Sequence, residues 1–200
     1  ITEVYSSIED TSITRFSLGI PEDVLLPIAK LNKELTKAMY SLPGNGTRYE
    51  DPQGNIRLRK DIARFTYNWN GNLTEEDLIT TTGVTNSISL ALSVIAREGD
   101  TIAVESPVYF GILQLANSLG LRVLELPTNP VTGIDPDALK KVLPQIKVCL
   151  LISNFSNPMG SCMPDEHKKA VVNMLAEYDI PLIEDDLYGD IFFGNARPKP

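Results

Sequence analysis

Cysteine is nearly missing from this chain of 200 residues, which carries only Cys149 and Cys162. One lies inside an apolar run and the other beside an Asn-Pro turn, so neither a disulfide framework nor a Cys-x-x-Cys metal site is indicated. A reducing, cytoplasmic setting is expected. Histidine is rarer still: His167 stands alone at the start of a helical segment, after Pro164-Asp165-Glu166, where a solvated surface position is a simpler reading than a catalytic base. Basic charge is scarce, with 18 Lys and Arg against 26 Asp and Glu and a net charge of −8. That balance argues against a nucleic-acid surface within this segment, because binding a phosphate backbone needs clustered cations. No run approaches the apolar length of a membrane-spanning helix, and the opening ITEVYSSIED has no signal-peptide block. A soluble chain with no membrane partner is expected. Neither a Gly-x-Gly-x-x-Gly loop nor a Walker lysine occurs, which disfavours dinucleotides and nucleoside triphosphates. No repeat or low-complexity tract is present either. What the chain does have is 42% hydrophobic residues at 22% charged, enough for a substantial core.

From Leu78 onward, short β-branched runs alternate with segments of helical period. LITTT, TIAVE, RVLEL, VCLLIS and PLIED are predicted strands; residues 86–96, 109–119, 136–143 and 164–178 are predicted helices. The strands read as continuous apolar runs, which implies burial on both faces. The expected class is therefore α/β, a three-layer α/β/α arrangement around a mostly parallel sheet. Ahead of it lies a helical and loop lead-in: an amphipathic segment from Asp23 to Tyr40, a Gly/Pro/Asn loop from Ser41 to Thr47, and a helix from Asn55 to Trp69. In that last helix Leu58, Ile62, Phe65 and Trp69 recur at helical spacing and predict a core-facing stripe. The chain divides on this reading into residues 1–48, the lead-in, and 49–200, the sheet domain. The tail NARPKP reads as an interrupted loop.

Ligands of such sheets collect at the carboxyl ends of the strands, and the polar signatures of this chain fall there. In TTTGVTNS, Gly83 can turn tightly while the amides of Val84 and Thr85 and the Thr85 hydroxyl point at an anion, since a helix N-terminus offers unpaired N–H groups and a positive dipole end. An ordinary Thr-capped turn is the plainer alternative. After TIAVE, Tyr109 can lay its ring on a flat heteroaromatic ligand, or serve as a core tyrosine. In Asn157-Pro158-Met159-Gly160, the Asn amide can donate to a phenolate oxygen, or the segment is a simple turn. The sharpest signature is EDDLY. An apolar strand delivers Asp185 to the sheet edge, where a buried carboxylate needs a cationic partner to offset its desolvation. A protonated pyridine nitrogen is one such partner, and Tyr188 can reach the neighbouring ring oxygen. The competing reading is a divalent-metal site built from Glu184, Asp185 and Asp186, although no second acidic cluster appears at another strand end. Phe192 and Phe193 read as core or interface residues.

Taken in order, YEDPQGNIRLR, TTTGVTNS, NPMG and EDDLY resemble the fold-type I, aspartate-aminotransferase-like family of pyridoxal-phosphate enzymes, class I/II aminotransferases, over Phe16 to Phe193. The resemblance implies the large pyridoxal 5'-phosphate-binding domain of that family. In it, Val84 and Thr85 would hold the phosphate and Tyr109 would stack on the ring. Asn157 and Tyr188 would bond the 3-oxygen, and Asp185 would pair with the ring nitrogen. Tyr49, five residues before Gly54, would reach the phosphate in the partner subunit's site, which implies a homodimer; Gly19 matches a substrate-side loop. The family's Schiff-base lysine lies some tens of residues beyond the Asp, followed by its phosphate and carboxylate arginines. Lys140, Lys141, Lys147, Lys168 and Lys169 precede Asp185 and Lys199 comes too soon after it, so no catalytic residue is expected here and the chain reads as truncated before the lysine. Val84 and Asn86 stand where Ser and Gln are more usual, which shifts phosphate contact towards backbone amides.

The segments FSLGIPEDVLLP, YEDPQGNIRLRKDIARF and EDDLYGDIFF are similar to two relatives of different function. One is the aminotransferase-like effector domain of MocR/GntR-type transcriptional regulators, which meet DNA only through a winged-helix module outside such a domain. The other is the stand-alone aminotransferase, which moves an amino group from an amino acid to a 2-oxo acid. The regulator is the preferred expectation for the parent protein and the enzyme the alternative; either would take an amino acid or 2-oxo acid ligand. A third class, decarboxylation or β-elimination at the same α-carbon, uses the same fold.

Overall fold

In the computed structural model, which describes Ser12 and residues 21–42 and 46–200, the chain forms two compact units, Ile1–Pro52 and Gln53–Pro200. In the first, the amphipathic segment expected from Asp23 to Tyr40 is broken in two: a 3-10 turn at Asp23–Leu25 and helix α1 at Ile28–Ser41. Pro27 causes the break. It has no N–H to donate, and it pushes the residue before it out of the helical region; Leu26 is accordingly extended at φ −87°, ψ 137°. The apolar residues of α1, Leu31, Leu35 and Met39, are all more than half exposed.

The second unit opens with α2 (Ile56–Phe65), capped by Asn55, whose side-chain oxygen accepts from the amides of Arg57 and Leu58 at 3.0 and 3.3 Å. The chain tightens into a 3-10 turn at Thr66–Trp69. The stripe expected to face the core does not. Leu58 and Phe65 are each 50% exposed, whereas Arg59, Ala63 and Thr66 are buried. The guanidinium of Arg59 decides this face. Its Nε donates to the Gly54 carbonyl at 3.1 Å, and its Nη1 donates to Gln53 Oε1 at 3.1 Å and to the Glu75 carbonyl at 2.6 Å. A polar anchor that ties two loops to one helix outweighs the apolar periodicity.

Five strands follow: β1 (Thr101–Ser106), β2 (Arg122–Asn129), β3 (Gly133–Ile134), β4 (Val148–Leu151) and β5 (Leu182–Glu184), in the spatial order β3-β2-β1-β4-β5. β1 pairs in parallel with β2 and β4, and β4 with β5; only the short β3 is antiparallel, folded back on β2. The connecting helices are α3 (Val84–Ile95), α4 (Phe110–Ser118), α5 (Pro136–Val142) and α6 (Asp165–Glu177). Alternation along the strands separates two cores. Ile102, Val104, Val148 and Leu150 pack with Ile88 and Leu92 of α3 and Ile112 and Ala116 of α4. Ala103, Leu126, Cys149 and Leu151 pack with Leu139 of α5 and Val171 and Leu175 of α6. This is the three-layer α/β/α class expected from the sequence. Each fully buried Leu or Ile contributes about 1.5–3 kcal/mol relative to an exposed position.

One expected strand is not formed. LITTT runs extended at Leu78, yet the Thr80 amide donates to the Gln53 carbonyl at 2.9 Å rather than to a strand, and Ile79 is 65% exposed. A strand is made by its ladder, and no described segment forms one with these residues. No helix among the described residues is long and apolar enough to cross a membrane.

Candidate functional site

The chain enters α3 through Gly83 at φ 104°, ψ 164°, a conformation that costs little only without a Cβ. A Cβ built there would meet no protein atom within 4 Å, so the turn opens onto space above the helix N-terminus. The Gly83 carbonyl accepts from the amides of Asn86 and Ser87 at 3.1 and 3.2 Å. The amides of Val84 and Thr85 are the first two of the helix and have no intrahelical acceptor. Behind them the loop is pinned: Asn86 Oδ1 accepts from the Thr82 amide and hydroxyl at 3.4 and 3.3 Å, and the Thr81 and Ser87 hydroxyls meet at 2.5 Å. Asn86 therefore works inward on the loop.

Opposite this helix end, β5 delivers Asp185. Its amide donates to the Leu151 carbonyl at 2.9 Å and continues the β4 pairing. A cavity of about 370 Å³ is lined by Val84, Ser87, Ile88 and Ala91 of α3 and by Ile183 to Leu187. Val84 and Asp185 thus share one cavity. Burial pushes the Asp185 carboxyl above its ordinary range; the Asp186 charge adds to that, while hydrogen bonding from the Leu187 amide works against it. A half-buried carboxylate in this condition is stabilised by any cation brought beside it. The three carboxylates of EDDLY do not converge as a metal site requires. Glu184 hydrogen-bonds the Ser153 hydroxyl and Asp186 accepts from Asn154 and Arg197, and no group of three acidic, His or Cys side chains among the described residues is placed to hold a metal ion.

The other expected residues sit at neighbouring strand ends. Tyr109 is the N-cap of α4, just after β1; its ring centroid lies 4.8 Å from that of Phe110, and it packs on the α3–α4 side of the sheet. Asn157 stands in a tight turn after β4, closed by the Ser156 amide donating to Ser161 O at 2.9 Å and the Gly160 amide donating to Ser156 O at 2.5 Å, with Gly160 at φ 70°. Tyr188 is half-buried in the turn after β5, where its carbonyl accepts from the Ile191 amide at 2.9 Å. None of these three lines the cavity shared by Val84 and Asp185. Tyr49 belongs to the first unit and is fully exposed. Gly19 lies outside the described residues.

Sequence reasoning missed two groups near this edge. Glu105 of β1 is 1% exposed; its Oε2 accepts from the Ile152 amide at 2.8 Å, and its Oε1 has no partner among the described residues. Burial, reinforced by the charge of Asp185, raises its carboxyl to about 7. The polar residue inside TIAVE was the available signal. Arg197 lies in NARPKP, which the sequence presents only as an interrupted loop, yet its side chain is 8% exposed, bonded to Asp186 and Asp190 and set 5.4 Å from the centre of the Trp69 ring. No local pattern in the sequence marks it.

Comparison with known proteins places this geometry. The sequence profile of the family "Aminotransferase class I and II" matches residues 14–200. The chain is 35% identical, over its whole length, to the uncharacterized HTH-type transcriptional regulator YjiR of Escherichia coli, of which it covers 43%. It is 30% identical over 98% of its length to the 2-aminoadipate transaminase of Thermus thermophilus, covering 49% of that protein. Among solved structures, the α-aminoadipate aminotransferase LysN of Thermus thermophilus, complexed with N-(5'-phosphopyridoxyl)-L-leucine, superimposes with a TM-score of 0.86 at 27% identity, covering 98% of this chain and 49% of that one. The chain therefore spans about half the length of the proteins it matches, or less.

Proposed function

We propose, since this chain belongs to the class I and II aminotransferase family, that it is a pyridoxal 5'-phosphate-binding aminotransferase-like domain, and that its parent is a transcriptional regulator in which it receives an amino-acid effector. The observation that carries the cofactor reading is the shared cavity: on one side Val84, the first residue of a glycine-opened helix whose leading amides have no intrahelical acceptor, and on the other a carboxylate destabilised by burial. An anion and a ring cation on one small molecule answer both. The amides of Val84 and Thr85 would hold the phosphate, and Asp185 would hold a proton at the ring nitrogen. Tyr109 would cover a ring face, and Asn157 and Tyr188 would bond the 3-oxygen. The apolar wall of Ile88, Ala91 and Ile183 would exclude water from the ring edge and strengthen the Asp185 ion pair. When bound, the cofactor supplies an electron sink for charge developing at the α-carbon of an amino acid. Tyr49 would complete the phosphate site of a second subunit, making the protein a homodimer, and Gly19 would lie on the substrate side.

The regulator reading is supported by the 35% identity to YjiR along the entire chain. DNA would then be met through another module, in the cytoplasm. The 30% identity to a transaminase supports the second reading, a stand-alone aminotransferase. Two experiments separate these. Titration with pyridoxal 5'-phosphate, followed by absorbance, is expected to saturate in the wild type and to weaken at least tenfold in Asp185→Ala; equal affinities would remove the pocket assigned here. In the full-length protein, cofactor-dependent retardation of promoter DNA without amino-acid turnover supports the regulator, and robust transamination without DNA binding supports the enzyme.

A further inference from the structure

Two aspartates stand side by side at the end of β5, and the fold treats them in opposite ways. Both line the cavity. Asp186, however, has each carboxylate oxygen engaged by a side chain: its Oδ2 accepts from Arg197 Nη2, and its Oδ1 accepts from Asn154 Nδ2 at 2.8 Å. Arg197 also donates through Nε to Asp190 Oδ1 at 2.8 Å and through Nη1 to the Pro198 carbonyl at 2.9 Å, while its guanidinium sits over Trp69. Asn154 is fully buried; its Oδ1 accepts from Lys168 Nζ of α6 at 2.6 Å. The result is a continuous polar bridge from Lys168 through Asn154 and Asp186 to Arg197. It joins the loop after β4, which carries Asn157, to the turn after β5, which carries Asp185 and Tyr188. Gly189 makes room for it: a Cβ there would come 2.6 Å from Arg197 Nη2 and closer still to Asp186 Oδ1.

We infer that this bridge is a positioning device, in which Arg197 and Asn154 commit Asp186 to the protein so that Asp185 alone is presented to the cationic ring nitrogen, with the Asn157 loop fixed at the same edge. The inference rests on the cofactor reading above. Its physical basis is anchorage. Asp186 is the neighbour of Asp185 in the chain, so a carboxylate held from two sides by Arg197 and Asn154 fixes the backbone from which Asp185 projects. Once that hold is lost the turn after β5 shifts, and a displaced Asp185 pairs less well with the ring nitrogen. Hydrogen bonds to charged partners are the stronger kind, and a side chain as buried as Arg197 has one geometry in which to make them.

The test uses the full-length protein and pyridoxal 5'-phosphate labelled with ¹⁵N at the ring nitrogen. Two quantities are read: the dissociation constant by absorbance, and the pH at which the bound ring nitrogen loses its proton, by its ¹⁵N shift. Arg197→Met and Asp186→Asn are each expected to weaken binding about tenfold, and Asp186→Asn, which leaves no free carboxylate beside the ring, to lower that pH by about one unit, the same free energy read twice. Arg197→Lys is expected to recover most of the binding. A thermal melt shows whether each variant is folded; if Arg197→Met is not, the isosteric Asp186→Asn carries the test. Wild-type values for folded Asp186→Asn, and for Arg197→Met where it folds, alongside loss of both in Asp185→Ala, would overturn the bridge while leaving the pocket intact. Wild-type values in Asp185→Ala itself would overturn the pocket, and the bridge with it.

Discussion

Replacing Arg59 with leucine tests whether a buried cation, rather than the apolar stripe, orients α2. The side chain is 3% exposed and serves two backbone carbonyls, Gly54 and Glu75, besides the Gln53 amide oxygen. Stranding a buried acceptor costs about 1–3 kcal/mol. Two carbonyls lose a charged donor, Gln53 can turn to water, and the leucine returns part of the loss through its own burial. The expected net destabilisation is about 3 kcal/mol. For a unit of this size each kcal/mol shifts the melting temperature by roughly 2–4 °C, so the melt should fall by roughly 6–12 °C. The control is Leu58→Ser on the opposite face. At 50% exposure that leucine has at most half of its transfer free energy to lose, about 1 kcal/mol. Differential scanning calorimetry of both variants decides the matter. If Leu58→Ser lowers the melting temperature more than Arg59→Leu does, the stripe faces a core after all and the reasoning fails.

Further expectations follow from other sites. Glu105 has a folded-state pKa raised from 4.5 to about 7, so it releases its proton later in the folded chain than in the unfolded one. Stability is therefore highest below pH 4.5, as far as this group is concerned, and falls as pH rises from 4.5 to 7, by roughly 3 kcal/mol at most. Glu105→Gln keeps an acceptor for the Ile152 amide and should abolish that slope in urea denaturation between those pH values; an unchanged slope would refute the assignment. Cys149 is fully buried, with its thiol pushed up to about 12, whereas Cys162 is partly exposed. Maleimide labelling under native conditions, read by mass spectrometry, should modify Cys162 alone, and rapid double labelling would contradict the packing of β4. A Cβ at position 83 has room, but Gly83→Val forces a β-branched residue to φ 104°. About 1–3 kcal/mol of strain should appear in denaturation, together with loss of pyridoxal 5'-phosphate binding; a fully stable variant would mean the turn is not as described.

The architecture was legible because its cause is local. Apolar runs of strand length, broken at regular intervals by amphipathic segments, can bury both faces of a strand only inside a helix-covered sheet, and TIAVE, RVLEL, VCLLIS and PLIED all became strands of it. Gly83 and Asp185 were legible for a related reason: a turn that must open a helix and a carboxylate at the end of an apolar run are each written within a few residues, and the fold sets Val84, the residue after that glycine, on one cavity with Asp185. Three things were not written locally. LITTT has strand composition but no strand forms a ladder with it. The face of α2 was settled by Arg59 reaching Glu75, across sixteen residues. Asp186 looked like a companion to Asp185 until Asn154 and Arg197, brought in from separate segments, engaged it. The sequence by itself determined which segments are strands and helices and which residue types stand at the sheet's edge, since propensity and periodicity act over a few residues. Only the tertiary structure decided which polar groups are left for a ligand, because a charge is free or engaged according to partners that the chain brings to it from far away.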